Sequence, residues 1–74
     1  MESTEIIRRI KDNFPDAIVK TNGENCNFSI EVTSDSFQGQ STLQRQKSLM
    51  SLFSEDFKSG ALHALSILAK TSSE

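Results

Sequence analysis

The segment 28–32, Phe-Ser-Ile-Glu-Val, constrains the fold most, because apolar and polar residues alternate in it without a break. Such alternation is typical of a β-strand that has one buried face and one face in solvent. A sheet built on this strand needs a layer of helices or a second sheet to cover its apolar face. With 74 residues, the chain has room for one domain of this kind.

The residues before this strand predict a helix and a first strand. Apolar residues recur at helical spacing at Ile6, Ile7, Ile10 and Phe14. They predict a helix over residues 4–13, which Pro15 ends because proline disfavours helical angles in the residue before it. Residues 17–21 are short and β-branched and predict a strand. The turn formers at 22–25 then predict an antiparallel hairpin with a loop longer than two residues.

The second half of the chain predicts two helices and a last strand. After a polar connection at 34–40, helix two is expected from residue 41 or 42 to residue 53. Its apolar positions are Leu43, Leu49, Met50, Leu52 and Phe53. Ser54 is predicted to cap a short third helix that stops at Gly60. Residues 63–70 are mostly apolar and predict a third strand.

The order α-β-β-α-α-β decides the fold class. The connection from strand two to strand three is long and contains both later helices, and such crossovers join parallel strands. We therefore predict an α+β fold, a three-stranded mixed sheet with the helices on one face. The single domain spans residues 1–74, and residues 71–74 are predicted to be a flexible polar tail.

This topology predicts that Cys26 and His63 lie together. Cys26 comes just before strand two and His63 begins strand three, so parallel neighbours about 4.8 Å apart would hold both residues at one end of the sheet. Thiolate and imidazole are ligands for soft and borderline metals. Zinc and iron–sulfur sites usually need four ligands, so a partner would have to supply the others. A small buried cysteine and a structural histidine remain the alternative.

Charge argues against a general affinity for polyanions, because the formal net charge is -2 with 8 basic and 10 acidic residues. Binding to nucleic acid would need a local basic surface. The candidates lie on the first two predicted helices: Arg8, Arg9, Lys11, Arg45 and Lys47. An ordinary solvated helix face explains the same residues.

The sequence lacks the motifs that are typical of several other functional classes. The chain has no nucleophile elbow and no glycine-rich phosphate loop, so we do not expect an enzyme. The single cysteine excludes an internal disulfide and favours a reducing compartment. No segment approaches the roughly 20 apolar residues of a membrane span. We expect a cytoplasmic protein, or one in a mitochondrion or another organelle if a targeting segment was removed.

Three motifs resemble the BolA family. They are Phe37-x-Gly39-x-Ser41, then Leu43-x-Arg45, then Leu62-His63-Ala64-Leu65-Ser66-Ile67. They are similar to the F-x-G-x-S loop, the Arg-His pair of helix two and the H-A-L-S-I strand of BolA proteins. Gln46 follows Arg45 where the pair has histidine, as in the YrbA-like (IbaG-like) branch.

The resemblance implies a class II KH-like fold and an adaptor function. BolA-like adaptors bind a monothiol glutaredoxin and share or transfer a [2Fe-2S] cluster in iron–sulfur trafficking and iron homeostasis. His63 and Cys26 match the family's two ligands, and the glutaredoxin cysteine and glutathione would supply the others. The resemblance implies no cofactor in the isolated protein, which would be a monomer or a weak homodimer.

The resemblance also implies an alternative function. Some BolA proteins bind DNA and regulate transcription in the stress response and in cell morphology. Gly39, Ser41, Arg45 and Lys47 match the positions proposed for that contact.

Overall fold

The predicted order of helices and strands is confirmed by a computed structural model, which describes all of residues 1–74. The elements are α1 Ser3–Asn13, β1 Ile18–Glu24, β2 Asn27–Thr33, α2 Thr42–Met50, α3 Ser54–Ser59 and β3 Ala64–Lys70. Two short 3-10 turns, Asp35–Phe37 and Ser51–Phe53, precede α2 and α3. No helix of the chain has the length and apolar character required to cross a bilayer.

The three strands form one mixed sheet in the order β1-β2-β3. Strands β1 and β2 are antiparallel, with Val19 opposite Val32. Strands β2 and β3 are parallel, with Ile30 opposite Ile67. The long crossover through α2 and α3 therefore joins parallel neighbours, as predicted.

Only one face of the sheet is covered. Phe28, Ile30 and Val32 of β2 are buried, whereas Ser29 between them is exposed. The buried residues that the helices, the 3-10 turns and the loop before β3 contribute are Ile6, Ile10, Phe37, Leu49, Phe53 and Leu62. The alternation in 28–32 thus correctly predicts which side of the sheet meets the core.

One predicted apolar position of helix two is not in the core. Leu43 is 63% exposed, whereas Leu49 is fully buried. The side of α2 that faces β3 is set by Arg45 and Gln46, whose side chains donate to backbone carbonyls of that strand. At about 100° per residue, Leu43 lies about 110° around the helix from the direction midway between Arg45 and Gln46, and it therefore points to solvent.

The prediction of a long hairpin loop is wrong. Strand β1 continues to Glu24, which pairs with Asn27, so only two residues, Asn25 and Cys26, form the turn. The backbone ladder does not need apolar side chains, and it therefore runs on through the polar residues taken for a loop. Gly23 and Asn25 adopt positive φ angles, 112° and 62°, at this tight hairpin turn.

Replacement of Gly23 by alanine is expected to cost more than about 2 kcal/mol of stability, because a left-handed φ and a steric clash act together. A Cβ atom at Gly23 would lie 2.3 Å from the backbone oxygen of Asn27. Gly39→Ala is the matched control: φ is 78° there, but nothing lies within 4 Å of the added carbon. It should cost only about 1 kcal/mol. Urea denaturation of both variants measures the difference, and equal losses would contradict the steric argument.

The second helix is shorter than predicted. Regular α-helix ends at Met50, and residues Ser51–Phe53 form a 3-10 turn that leads directly into α3. Helix α3 begins at Ser54, and Phe53 occupies its N-cap position. The prediction that Ser54 caps this helix is therefore wrong, because Ser54 is already its first residue. The Ser54 hydroxyl donates instead to the carbonyl of Ser51.

Residues 71–74, which we predicted to form a flexible tail, make several hydrogen bonds in the structure. Thr71 is buried, and its amide donates to Glu74 Oε1 over 3.1 Å. The Ser72 hydroxyl donates to Asp35 Oδ1 over 2.8 Å. Ser72 and Asp35 are 37 positions apart, so no local pattern predicts their contact.

Candidate metal centre

The parallel pairing of β2 and β3 brings Cys26 and His63 to the same end of the sheet. Their successors, Asn27 and Ala64, are the first register pair of the two strands. The carbonyl of Cys26 accepts from the amides of His63 and Ala64, over 2.7 and 3.2 Å. These two hydrogen bonds hold the backbones of Cys26 and His63 side by side.

The two side chains also meet. Cys26 Sγ lies 3.3 Å from His63 Nδ1. Cys26 is half-buried and His63 is exposed, so the pair forms part of the surface. We call this pair, Cys26 Sγ and His63 Nδ1, the rim pair. The adjacency predicted from topology is confirmed, whereas the role of the two residues as metal ligands stays a prediction.

The spacing of the rim pair suits a single tetrahedral ion. With bonds of about 2.3 Å to sulfur and about 2.0 Å to nitrogen, tetrahedral ligands are separated by about 3.5 Å. The observed 3.3 Å is close to that value. No cluster of three or more His, Cys, Asp or Glu side chains that could hold a metal occurs in the chain. The rim pair therefore offers two ligands and leaves the remaining positions open.

The surroundings of the ring favour Nδ1 as the ligand atom. Leu62 is buried and its amide donates to the carbonyl of Asp56, which anchors the segment that carries His63. On the far side of the ring, Nε2 faces Gly60, where an added Cβ would lie 3.8 Å away. The sulfur thus lies on the Nδ1 side of the ring.

The residues predicted to contact nucleic acid do not form a free basic surface. Ser41 caps α2, its hydroxyl accepting from the Gln44 amide. Gly39 lies in the exposed loop before that helix, and Lys47 is exposed on it. The Arg45 side chain is only 11% exposed and binds both carboxylate oxygens of Glu74, over 2.7 and 2.9 Å.

Most basic side chains are likewise engaged within the chain. Five of the 8 basic residues form ion pairs: Arg8, Arg9, Arg45, Lys58 and Lys70. The other three, Lys11, Lys20 and Lys47, lie on three different elements, α1, β1 and α2. These three lysines therefore do not form a basic row along a single helix or strand.

The Glu74 carboxyl is expected to titrate far below its usual range. Hydrogen bonds from Arg45 and from the Thr71 amide lower its pKa from 4.5 to about 2. A lowered folded-state pKa stabilises the fold above about pH 4.5, and the contribution is lost as the pH falls towards 2. A carbon-detected NMR titration of Glu74 measures this directly. In Arg45→Gln the midpoint should rise by more than a pH unit, and an unchanged midpoint would contradict the assigned cause.

The contact between Arg45 and Glu74 was missed by sequence reasoning. The two residues are 29 positions apart, and opposite charge alone is too common to indicate a pair. Gln46 was likewise not predicted to bond to the strand, although its amide donates to the Ile67 carbonyl over 2.7 Å.

Comparison with known proteins identifies one family. The family model described as BolA-like protein matches residues 5–74. The chain is 30% identical over 74 residues to an uncharacterized protein of the rpoN-murA intergenic region of Acinetobacter guillouiae, covering all of this chain and 89% of that protein. It is 47% identical over 47 residues to SufE-like protein 1, chloroplastic/mitochondrial, of Arabidopsis thaliana. That match covers 64% of this chain but only 12% of the plant protein.

Solved structures show the same fold. The BolA domain of SufE1 from Arabidopsis thaliana superimposes with a TM-score of 0.85 at 27% identity, covering 99% of this chain and 96% of that one. Yeast Fra2 superimposes with a TM-score of 0.75 at 26% identity, covering 99% of this chain and 82% of that one.

Proposed function

The chain belongs to the BolA-like protein family, and from that premise we propose that it is an adaptor for iron–sulfur clusters. It binds a monothiol glutaredoxin and shares or transfers a [2Fe-2S] cluster, which is its cargo. It acts by presenting ligands and a docking surface, without a catalytic step of its own.

The observation that carries this proposal is the 3.3 Å separation of Cys26 Sγ and His63 Nδ1 at an exposed rim. Thiolate and imidazole are both established ligands of two-iron clusters, the imidazole in Rieske centres. The donor types therefore fit this cargo. A buried pair, or a pair at opposite ends of the sheet, would not fit it.

The rim pair supplies too few ligands for a cluster, which supports the need for a partner. The chain has no third His, Cys, Asp or Glu beside the rim pair, and a two-iron cluster takes four protein or thiol ligands. A glutaredoxin cysteine and glutathione would supply the two missing thiolates. Because the adaptor holds only half of the ligands, the cluster could pass on when another protein offers a fuller set.

The domain composition of one relative supports a function in contact with other proteins. In Arabidopsis thaliana a BolA domain is part of a SufE-like protein. The present chain matches 12% of that longer protein. A domain that occurs linked to another protein is consistent with an adaptor.

The alternative, a DNA-binding regulator, has less support. Arg45, the central residue of the matched positions, is held by Glu74 and by the carbonyls of Gln40 and Ala69. Contact with a phosphate would require it to leave these partners. Lys47 remains exposed, but a single lysine provides one phosphate contact at most.

The test is reconstitution with a purified monothiol glutaredoxin, iron, sulfide and glutathione. We expect a 1:1 heterodimer whose visible circular dichroism differs from that of the cluster-bridged glutaredoxin alone. The same mixture without this chain is the control. Identical spectra with and without the chain, together with no heterodimer in native mass spectrometry, would refute the proposal.

A further inference from the structure

We propose that, in the absence of another partner, two copies of this chain bind one zinc ion through their rim pairs, forming a Cys2His2 site. The inference rests on the same two side chains as the proposed function but requires no glutaredoxin. It adds a ligand class, a tetrahedral divalent ion, and a partner, a second copy of the chain.

The distance between the two ligand atoms is the first reason to expect zinc at the rim pair. The 3.3 Å between Cys26 Sγ and His63 Nδ1 is close to the separation of about 3.5 Å between sulfur and nitrogen ligands on one tetrahedral zinc ion. The backbone hydrogen bonds from His63 and Ala64 to the Cys26 carbonyl hold the two backbones side by side. One rim pair can therefore occupy two adjacent corners of a tetrahedron with little rearrangement.

The number of ligands that zinc needs is the second reason, because it requires two copies of the rim pair. Zinc in closed protein sites takes four ligands, commonly two thiolates and two imidazoles. Each chain offers one of each, and no further metal-ligating cluster exists in it. A second rim pair brings the number to four in a combination that is common in structural zinc sites.

Access to the rim pair permits two chains to approach. Cys26 belongs to a turn of two residues at the end of the sheet, next to the exposed Asn25. His63 is exposed, and its neighbour Gly60 carries no side chain that could block the ring. The pair therefore lies at an exposed end of the sheet, where a second copy can approach it.

The charges at the proposed site favour a dimer that is held together by the metal ion. Each coordinating thiol releases its proton to solvent, so two thiolates, two neutral imidazoles and one Zn²⁺ form a neutral centre. Glu2 and Glu24 line a surface cavity beside the turn together with Met1, whose N-terminal ammonium donates to the Asn25 carbonyl. The two carboxylates outnumber this one ammonium, so the group has a net negative charge that attracts a cation and repels the same end of another copy. Without metal, we expect the two ends to stay apart.

The test is titration of the purified chain with Co²⁺, a coloured substitute for zinc, in the presence of a reductant. We expect saturation at one Co²⁺ per two chains, the intense visible bands of four-coordinate thiolate-bound Co²⁺, and a doubled mass in sedimentation velocity. Added Zn²⁺ should abolish the colour and keep the doubled mass. One Co²⁺ per chain at unchanged mass, or only the pale spectrum of six-coordinate Co²⁺, would overturn the inference.

Variants link the result to the rim pair. Cys26→Ser and His63→Ala should each weaken Co²⁺ binding more than 100-fold, since loss of even a supporting residue around a metal site costs roughly 10–100-fold. Lys11→Ala, an exposed change on α1, should bind as the parent does. Circular dichroism confirms that each variant is folded. Unchanged binding in either rim variant would contradict the assignment.

The two proposals can fail separately, because this titration contains no glutaredoxin. A Co²⁺-linked dimer with no cluster-loaded heterodimer would refute the proposed function alone. A cluster-loaded heterodimer from a chain that stays monomeric with Co²⁺ and Zn²⁺ would refute the further inference alone.

Discussion

Replacement of His63 by alanine is expected to abolish the cluster-loaded complex with a monothiol glutaredoxin, lowering the affinity for the cluster-bearing partner at least about 100-fold, or about 2.7 kcal/mol. The imidazole is one of the two ligands that we propose for this chain, and its Nδ1 lies 3.3 Å from the other, Cys26 Sγ. Its loss would leave one coordination position of the cluster without a protein ligand, whereas two-iron clusters are held by four Cys or His ligands. Native mass spectrometry and visible circular dichroism of the reconstituted mixture measure the loss.

The fold of this variant should be intact, since His63 is exposed and holds its place through backbone hydrogen bonds. Cys26→Ser should weaken the complex similarly, because an alcohol is a poor ligand for a soft cluster. Lys11→Ala, on a distant helix, is the matched surface control. A His63→Ala protein that retains the parent's cluster spectrum would disprove the ligand assignment.

Replacement of Phe37 by alanine is expected to remove about 3–5 kcal/mol of stability. Phe37 is fully buried, and its ring centroid lies 5.1 Å from that of Phe14. Without the ring, a cavity remains where the turn between β2 and α2 packs on the core. A domain of this length has a total stability of roughly 4–11 kcal/mol, so this single change removes much of it. Thermal and urea unfolding measure the loss.

The matched control for this variant is Leu43→Ala. Leu43 also belongs to the segment that the sequence assigned to the core, but it is 63% exposed. We expect a change below about 0.5 kcal/mol. If Leu43→Ala cost as much as Phe37→Ala, the placement of α2 on the sheet would be incorrect.

These residues give the F-x-G-x-S segment a structural explanation. Phe37 fills the core, Gly39 adopts a φ of 78°, and the Ser41 hydroxyl caps α2. Each residue type is thus required by the local fold. The segment therefore supports the family assignment without implying a nucleic-acid contact.

The main features of the fold could be predicted from the sequence because they depend on periodicity. The alternation in 28–32 identifies Phe28, Ile30 and Val32 as the buried side of β2, and the structure buries all three. The long helical crossover predicts a parallel β2–β3 pair, and the register confirms it. From these two facts alone, Cys26 and His63 were expected at one end of the sheet.

Only the tertiary structure decided where the hairpin turns, which side of α2 meets the sheet and which distant polar side chains contact each other. The hairpin closes in two residues because backbone pairing continues through polar side chains, and Leu43 is exposed because α2 presents Arg45 and Gln46 to β3. The bond of Arg45 to Glu74 and the approach of Nδ1 to sulfur join residues far apart in the chain. Apolar burial repeats along a strand or helix and is therefore visible in sequence, whereas a polar contact between distant segments has no period and exists only once the fold has formed.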